Sequence, residues 1–299
     1  MPNQTFNPVF TPTVWSPRIY FFLKNKLIAK NIFDDFSDEV TSGGDTINIP
    51  YIADGFAATA ILTTNGVVAG TSISDTKTAL QVTTWVGNAL IISDFQMAQV
   101  AKSYRLKEAY MMAQGYALAK KMDVDIIRLA ANTAITTVGN SSTALLATTI
   151  EKAMGILSSR SVPLNECTFV LHPKTYFRRI FNVQKFYDAS QYGKPTVPQG
   201  IVDYLYGVPV VVTQQITTQT YAAENLSAGN GYRNLLVHKT AFAFAIGNIP
   251  GANSINGIRL SEGRVNGTDL ATKVTADVAY GVKLVNSGRV IKIIDKVAQ

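Results

Sequence analysis

The alternation of apolar and polar residues marks two extended stretches early in the chain. Thr46-Ile47-Asn48-Ile49-Pro50-Tyr51 alternates strictly, the signature of a half-buried strand. A second stretch, Thr78 to Ile92, carries alternating Leu80, Val82 and Thr84 together with Trp85. Ser42-Gly43-Gly44-Asp45 is a turn before the first. Between the two, Gly55 to Ser74 has no charged residue and is rich in Ala, Thr and Gly. Two extended arms around a Gly-rich tip predict a long hairpin. Such a hairpin is marginal alone, and this one is too apolar for a solvated tail. Its predicted home is against another chain.

Helical signals flank this region. Residues 1–15, with Pro2, Pro8 and Pro12, predict an extended arm. Ser16-Pro17 then pairs an N-cap with proline at the first helical position. Ser93-Asp94-Phe95-Gln96 is a capping box opening the longest helix, roughly 94–131, with Ala109, Met112, Ala113, Tyr116 and Ala119 on one face. At 1.5 Å per residue it spans on the order of 55 Å, a spine for other elements. Thr148 or Thr149 is expected to cap a further helix that ends before Pro163. Cys167 to Leu171 reads as a buried strand, and His172-Pro173 starts a short basic helix. Residues 187–200 read as a loop. Strands are predicted at Val208–Val212, Asn234–His238, Ala241–Ile246, Ile258–Ser261, Asp269–Val285 and Val290–Ile294.

Composition narrows the class. Of 299 residues only 16% are charged, against about 25% in ordinary soluble domains. With 47% hydrophobic residues the chain is not disordered. Its apolar runs are far shorter than the ~20 residues of a membrane helix, and MPNQTFNPVF is no secretory signal. The single cysteine, Cys167, excludes a disulfide framework and a Cys-based zinc site. Two explanations of the sparse charge stand side by side: a surface of Thr, Asn, Gln and Ser, or burial against other copies.

Familiar chemistry is missing from the sequence. His172 and His238 have no second ligand at metal spacing and are expected to cap or hydrogen-bond. No Gly-x-Ser-x-Gly elbow, Walker loop or Gly-x-Gly-x-x-Gly opening is present. Asp123 and Asp125 are two apart on a helix and so face different ways. No catalytic, cofactor or metal site is predicted. Basic residues do cluster: Lys102, Arg105, Lys107, Lys120, Lys121 and Arg128 on the long helix, and Lys174, Arg178, Arg179, Lys185 and Lys194 further on. They suit nonspecific contact with phosphate, and solvated helix faces account for them equally well.

In order and spacing these stretches resemble the major capsid protein of tailed bacteriophages. SGGDTINIPYI resembles the exit from that family's N-terminal arm, and the charge-poor 53–92 segment resembles its extended loop. The capped helix from Ser93 resembles its spine helix. FVLHPKTYFRRI and GIVDYLYGVPVVVTQQI resemble its axial domain, and NLLVHKTAFAFAI with the stretch through Ala279-Tyr280-Gly281-Val282 resembles the closing strands.

The resemblance implies an α+β chain with the phage major-capsid fold. An N-terminal arm covers 1–52 and an extended β-hairpin loop 53–92. The peripheral domain takes 93–133 and 251–287, and the axial domain 134–250 and 288–299. It implies a shell subunit of the virion head, assembled in the host cytoplasm from hexamers and pentamers around double-stranded DNA. A separate scaffolding protein is expected, because no helical segment precedes the arm, and a portal with it. Lys77 and Trp85 are candidate inter-subunit contacts. Lys102, Arg105, Lys107, Lys120, Lys121, Arg178 and Arg179 are candidates for touching scaffold or DNA. The alternatives are an encapsulin-type nanocompartment shell of the same fold and a soluble α+β hydrolase-like enzyme.

Overall fold

The computed structural model describes residues 27–40, 46–51, 76–95, 106–140, 144–180, 204–216, 218–220, 230–247, 254–255, 257–265 and 270–296. The predicted arm over 1–15, the Ser16-Pro17 helix start, the 42–45 turn, the 55–74 tip, Gln96 of the capping box and the 187–200 loop lie outside these residues.

The described chain opens with α1 (Ala29–Ile32), β1 (Asp34–Asp35) and α2 (Ser37–Val40). It continues through β2 (Thr46–Tyr51), β3 (Thr76–Gln81), β4 (Thr84–Ser93) and the spine helix α3 (Leu106–Arg128). Next come β5 (Thr136–Gly139), α4 (Ala147–Ser159), β6 (Cys167–Leu171) and α5 (Pro173–Thr175), which runs into a π-turn over Tyr176–Ile180. β7 (Tyr204–Leu205), β8 (Val208–Val212), β9 (Thr218–Thr220) and β10 (Asn230–His238) follow. The chain closes with β11 (Phe242–Ile246), β12 (Ser254–Ile255), β13 (Ile258–Arg264), β14 (Ala271–Leu284) and β15 (Val290–Lys296).

The first sheet runs β1-β11-β14-β13-β12, with β4 also paired to β14. β14 is its axis: Ala276, Val278 and Tyr280 point into a core shared with Leu118, Ile126 and Ile127 of α3. The period of two then sends Lys273, Thr275 and Asp277 to the opposite face. β4 follows the same rule. Val86 packs on that core, while Trp85 and Ile91 on the other face are exposed.

The second sheet runs β5-β15-β10-β6-β8-β7, with β9 on β10. One face meets α4 through Ile150, Ala153 and Leu157. The other contributes Val170, Leu235, Val237 and Val290 to the core that lies on α3. Strands covered on both faces need nearly continuous apolar sequence, as in CTFVL of β6. Lys292 and Asp295 are the exceptions on β15. Lys292 is 1% exposed, and its Nζ donates to the carbonyl of Asn132 at 3.2 Å.

Three placements differ from the sequence division. β4 was read with the extended loop, yet it pairs residue for residue with β14 from Ser93↔Ala271 to Thr84↔Tyr280. Alternation looks the same in a free hairpin and in a sheet edge, so sequence does not separate them. β11 falls within the axial range but pairs with β14 of the first sheet. Finally, α4 begins at Ala147 after Leu146, which makes no side-chain cap, so Thr148 and Thr149 lie inside the helix. The cause is one residue back. Leu145 is buried and its N–H donates to Asp295 Oδ1 at 2.9 Å, which draws the chain inward and starts the helix early.

Candidate functional site

Two surfaces follow from these strands. β2 and β3 form a hairpin in register from Thr46↔Gln81 to Tyr51↔Thr76, with Lys77 exposed opposite Pro50. Its root packs on the first sheet, where Leu80 is fully buried among Val40, Ala243 and Ala245. Lys77 therefore sits on the hairpin and Trp85 on the sheet, in two separate elements.

Trp85 is 69% exposed, although its indole Nε1 donates to Asp277 Oδ2 at 2.8 Å. Arg259 clamps the same carboxylate, Nε to Oδ1 at 2.9 Å and Nη2 to Oδ2 at 2.7 Å. The Arg259 hydrogen bond, helped by that of Trp85, holds the Asp277 carboxyl below its usual range. Gly87 and Ala89 supply little side chain beside them, leaving an open concavity of about 370 Å³ between Trp85 and Arg259. Ile91, Phe95 and Leu270 are also exposed. β4 contains neither a charge nor a proline, two of the devices that keep an edge strand from pairing.

Lys120, Lys121 and Arg178 are exposed. Lys121 Nζ donates to Asp125 Oδ1 at 2.6 Å along the helix surface, and Asp125 also accepts from the Tyr280 hydroxyl at 2.6 Å. Arg179 Nε lies 3.5 Å from Asp295 Oδ1, a carboxylate that is 1% exposed. Arg179 is thus paired with a buried carboxylate. Lys107 is on α3, and Lys102 and Arg105 lie outside the described residues.

Both histidines cap backbone, as expected. His172 Nδ1 accepts from Lys174 N at 3.1 Å, and its ring stacks on Tyr232 with centroids 3.8 Å apart. Burial, then the charge of Lys174, pushes its pKa down to about 4, so the ring is the neutral acceptor at neutral pH. His238 Nδ1 accepts from Thr240 N at 3.3 Å, and its Nε2 is 3.3 Å from Glu166 Oε2. Burial lowers its pKa more than Glu166 raises it. The hydrogen bond from Lys239 lowers Glu166 in turn. The Cys167 thiol is pushed up to about 11, chiefly by burial, which leaves it unreactive. Among the described residues no three His, Cys, Asp or Glu side chains gather as a metal set.

One polar cluster was not read from sequence. Asp295 accepts from Leu145 N and from the Thr175 hydroxyl, both at 2.9 Å. Asn234 donates to Thr175 Oγ1 at 3.3 Å and accepts from His172 N at 2.8 Å. The cluster ties β10, β15, α5 and the entry to α4 together. Its only sequence trace is polar residues set in apolar runs, Asn234 before LLV and Asp295 after IKII.

A family model described as phage capsid protein matches residues 75–293. No curated protein matches the sequence. Among solved structures, that of Mycobacterium phage Che8 is 18% identical with a TM-score of 0.71, covering 95% of this chain and 97% of the other. The Cyanophage Pam1 capsid asymmetric unit is 14% identical with a TM-score of 0.73 over 100% of both chains. The capsid of Cyanophage P-SCSP1u is 13% identical with a TM-score of 0.73, covering 96% of this chain and 93% of the other. At such identities the likeness is one of fold.

Proposed function

The chain belongs to the phage capsid protein family, and we propose that copies of it join as hexamers and pentamers into the icosahedral head of a tailed phage around double-stranded DNA. It is a structural capsid protein and not an enzyme. The observation that carries the proposal is the family match over 75–293, which takes in the spine helix and both sheets apart from β1 and the end of β15.

The peripheral domain then comprises 93–133 and 251–287, and the axial domain 134–250 and 288–299. β4 and β11 lie in the sheet that the peripheral residues build. Exposed Lys77 and Trp85 are proposed to meet neighbouring copies. Lys102, Arg105, Lys107, Lys120, Lys121, Arg178 and Arg179 are proposed to meet scaffold or DNA, since clustered cations suit contact with phosphate. A separate scaffold, a portal and assembly in the host cytoplasm complete the reading.

Expression of the chain followed by negative-stain microscopy tests it. Closed shells, tubes or curved sheets are expected. A monomer or small oligomer at every concentration and salt overturns the proposal. Copurified enzyme cargo in place of nucleic acid would favour the nanocompartment.

A further inference from the structure

The hairpin of β2 and β3 does not hang from a loose tether. Its root, Leu80 to Val82, lies across the first sheet at the junction of β11 and β14. Leu80 is fully buried there, with Val40, Ala243 and Ala245 around it and Phe36, Ile47, Ile49, Val82 and Val285 at the rim. Beneath the root the sheet carries only small residues, and two of them are glycines. Gly281 pairs with Ala245, and a Cβ at 281 would overlap the carbonyl oxygen of Gln81. Gly247, whose N–H donates to Ala279 O at 2.8 Å, has room for no Cβ either, because one would stand 2.8 Å from Val82 Cγ1. Val82 is β-branched and stiff at χ1, so its methyl has little freedom to swing aside. Neither glycine has a left-handed backbone that would itself demand glycine. Close approach of the root is the remaining reason for both.

We propose that this root is a fixed-angle joint. Gly247 and Gly281 are positioning residues that let the hairpin seat flat on the sheet, and the seat sets the direction in which the hairpin reaches a second copy of the chain. The inference rests on the shell reading above. Contacts that repeat from one copy to the next close or stay open according to the angle at which they are made. A small tilt at the root, multiplied along the hairpin, therefore changes curvature rather than merely weakening the subunit.

The test compares the diameters of particles assembled from the full chain and its variants. Gly247→Ala sets a methyl against Val82 and should shift or broaden the diameter distribution while far-UV circular dichroism and the melting transition report a folded subunit. Adding Val82→Ala removes the opposing methyl and should restore the wild-type diameter. Leu157→Ala, in the core under α4, should lower stability and yield but leave the diameter unchanged. Gly247→Ala shells of wild-type diameter, a double variant as altered as the single one, or an equal shift from Leu157→Ala would each defeat the joint. If Gly247→Ala does not fold, Leu80→Ala decides, since it frees the root without a clash. A spread of diameters supports the joint, and one wild-type diameter overturns it. Wild-type chain that forms no particles defeats the shell reading, and the joint with it.

Discussion

The carboxylate of Asp123 accepts a 2.6 Å hydrogen bond from the backbone N–H of Ala29, 94 positions earlier in the chain. The same oxygen accepts from Ile28 N at 3.0 Å. Asp123 is 3% exposed, so this is a buried clasp between the spine helix and the segment leading to α1. Phe33, edge-on to Phe242 with centroids 5.1 Å apart, and β1 on β11 extend the attachment across the first sheet. Asp123→Ala leaves two buried amide donors without an acceptor, at about 1–3 kcal/mol each. Asp123→Asn keeps the acceptor and should lose much less. Urea midpoints of the two variants check the order, and equal losses would show that the clasp contributes nothing specific.

The protonation of Asp123 and His172 should act on stability in opposite senses. Burial outweighs the two amide bonds and lifts the Asp123 carboxyl above its ordinary value. Between about 3.9, where the unfolded carboxyl titrates, and that raised value, the folded chain holds a proton the unfolded chain has released. Its contribution therefore grows as pH falls through the window and is lost as pH rises through the folded value. His172 is depressed to about 4, whereas the unfolded ring titrates near 6.5. Its contribution is complete above about 6.5 and is lost as pH falls toward 4. The difference in unfolding free energy between wild type and His172→Asn isolates the ring, because Asn keeps a capping oxygen. That difference should move against wild type as pH drops from 7 to 4. A constant difference would mean that the ring does not titrate as its surroundings require.

Lys120 and Arg179 should behave differently. Arg179 faces buried Asp295, whereas Lys120 is exposed on α3. Arg179→Gln leaves that carboxylate without its cation and should lower the melting temperature. Lys120→Gln should leave melting unchanged and reduce only the nucleic acid retained by particles, an effect that fades as salt is raised. Equal thermal losses would refute this division of the two cations.

How much of this was legible depended on whether a residue's neighbours are near in sequence. His172 as a cap was readable because its partner is Lys174, and the split of Asp123 from Asp125 because both lie on one helix. The hairpin's two arms announced themselves by alternation. Membership of β4 in the first sheet was not readable, since its partner lies in 271–280 and both candidate homes demand the same alternation. The early start of α4 depends on Asp295, which acts from the far end of the chain. The pairing of Trp85 with Asp277 across 192 positions is of the same kind: sequence marks Trp85 as apolar but not as the roof of a carboxylate.

That pairing allows the proposed contact at Trp85 to be separated from its role in the subunit. Trp85→Phe removes the N–H donor and keeps a ring, while Trp85→Ala removes both. Asp277 retains its two bonds from Arg259 in either case. The isolated subunit should therefore lose only about 0.5–1.5 kcal/mol, the net worth of one ordinary hydrogen bond. At a contact between copies the ring itself matters. Truncating a buried aromatic anchor there costs about 2 kcal/mol or more, roughly 30-fold in the association constant. The concentration of free subunit that coexists with particles should rise steeply for Trp85→Ala and modestly for Trp85→Phe, while melting of the unassembled chain changes little for both. If Trp85→Ala assembles at the wild-type threshold, the exposed ring faces solvent in the shell and neighbouring copies meet elsewhere.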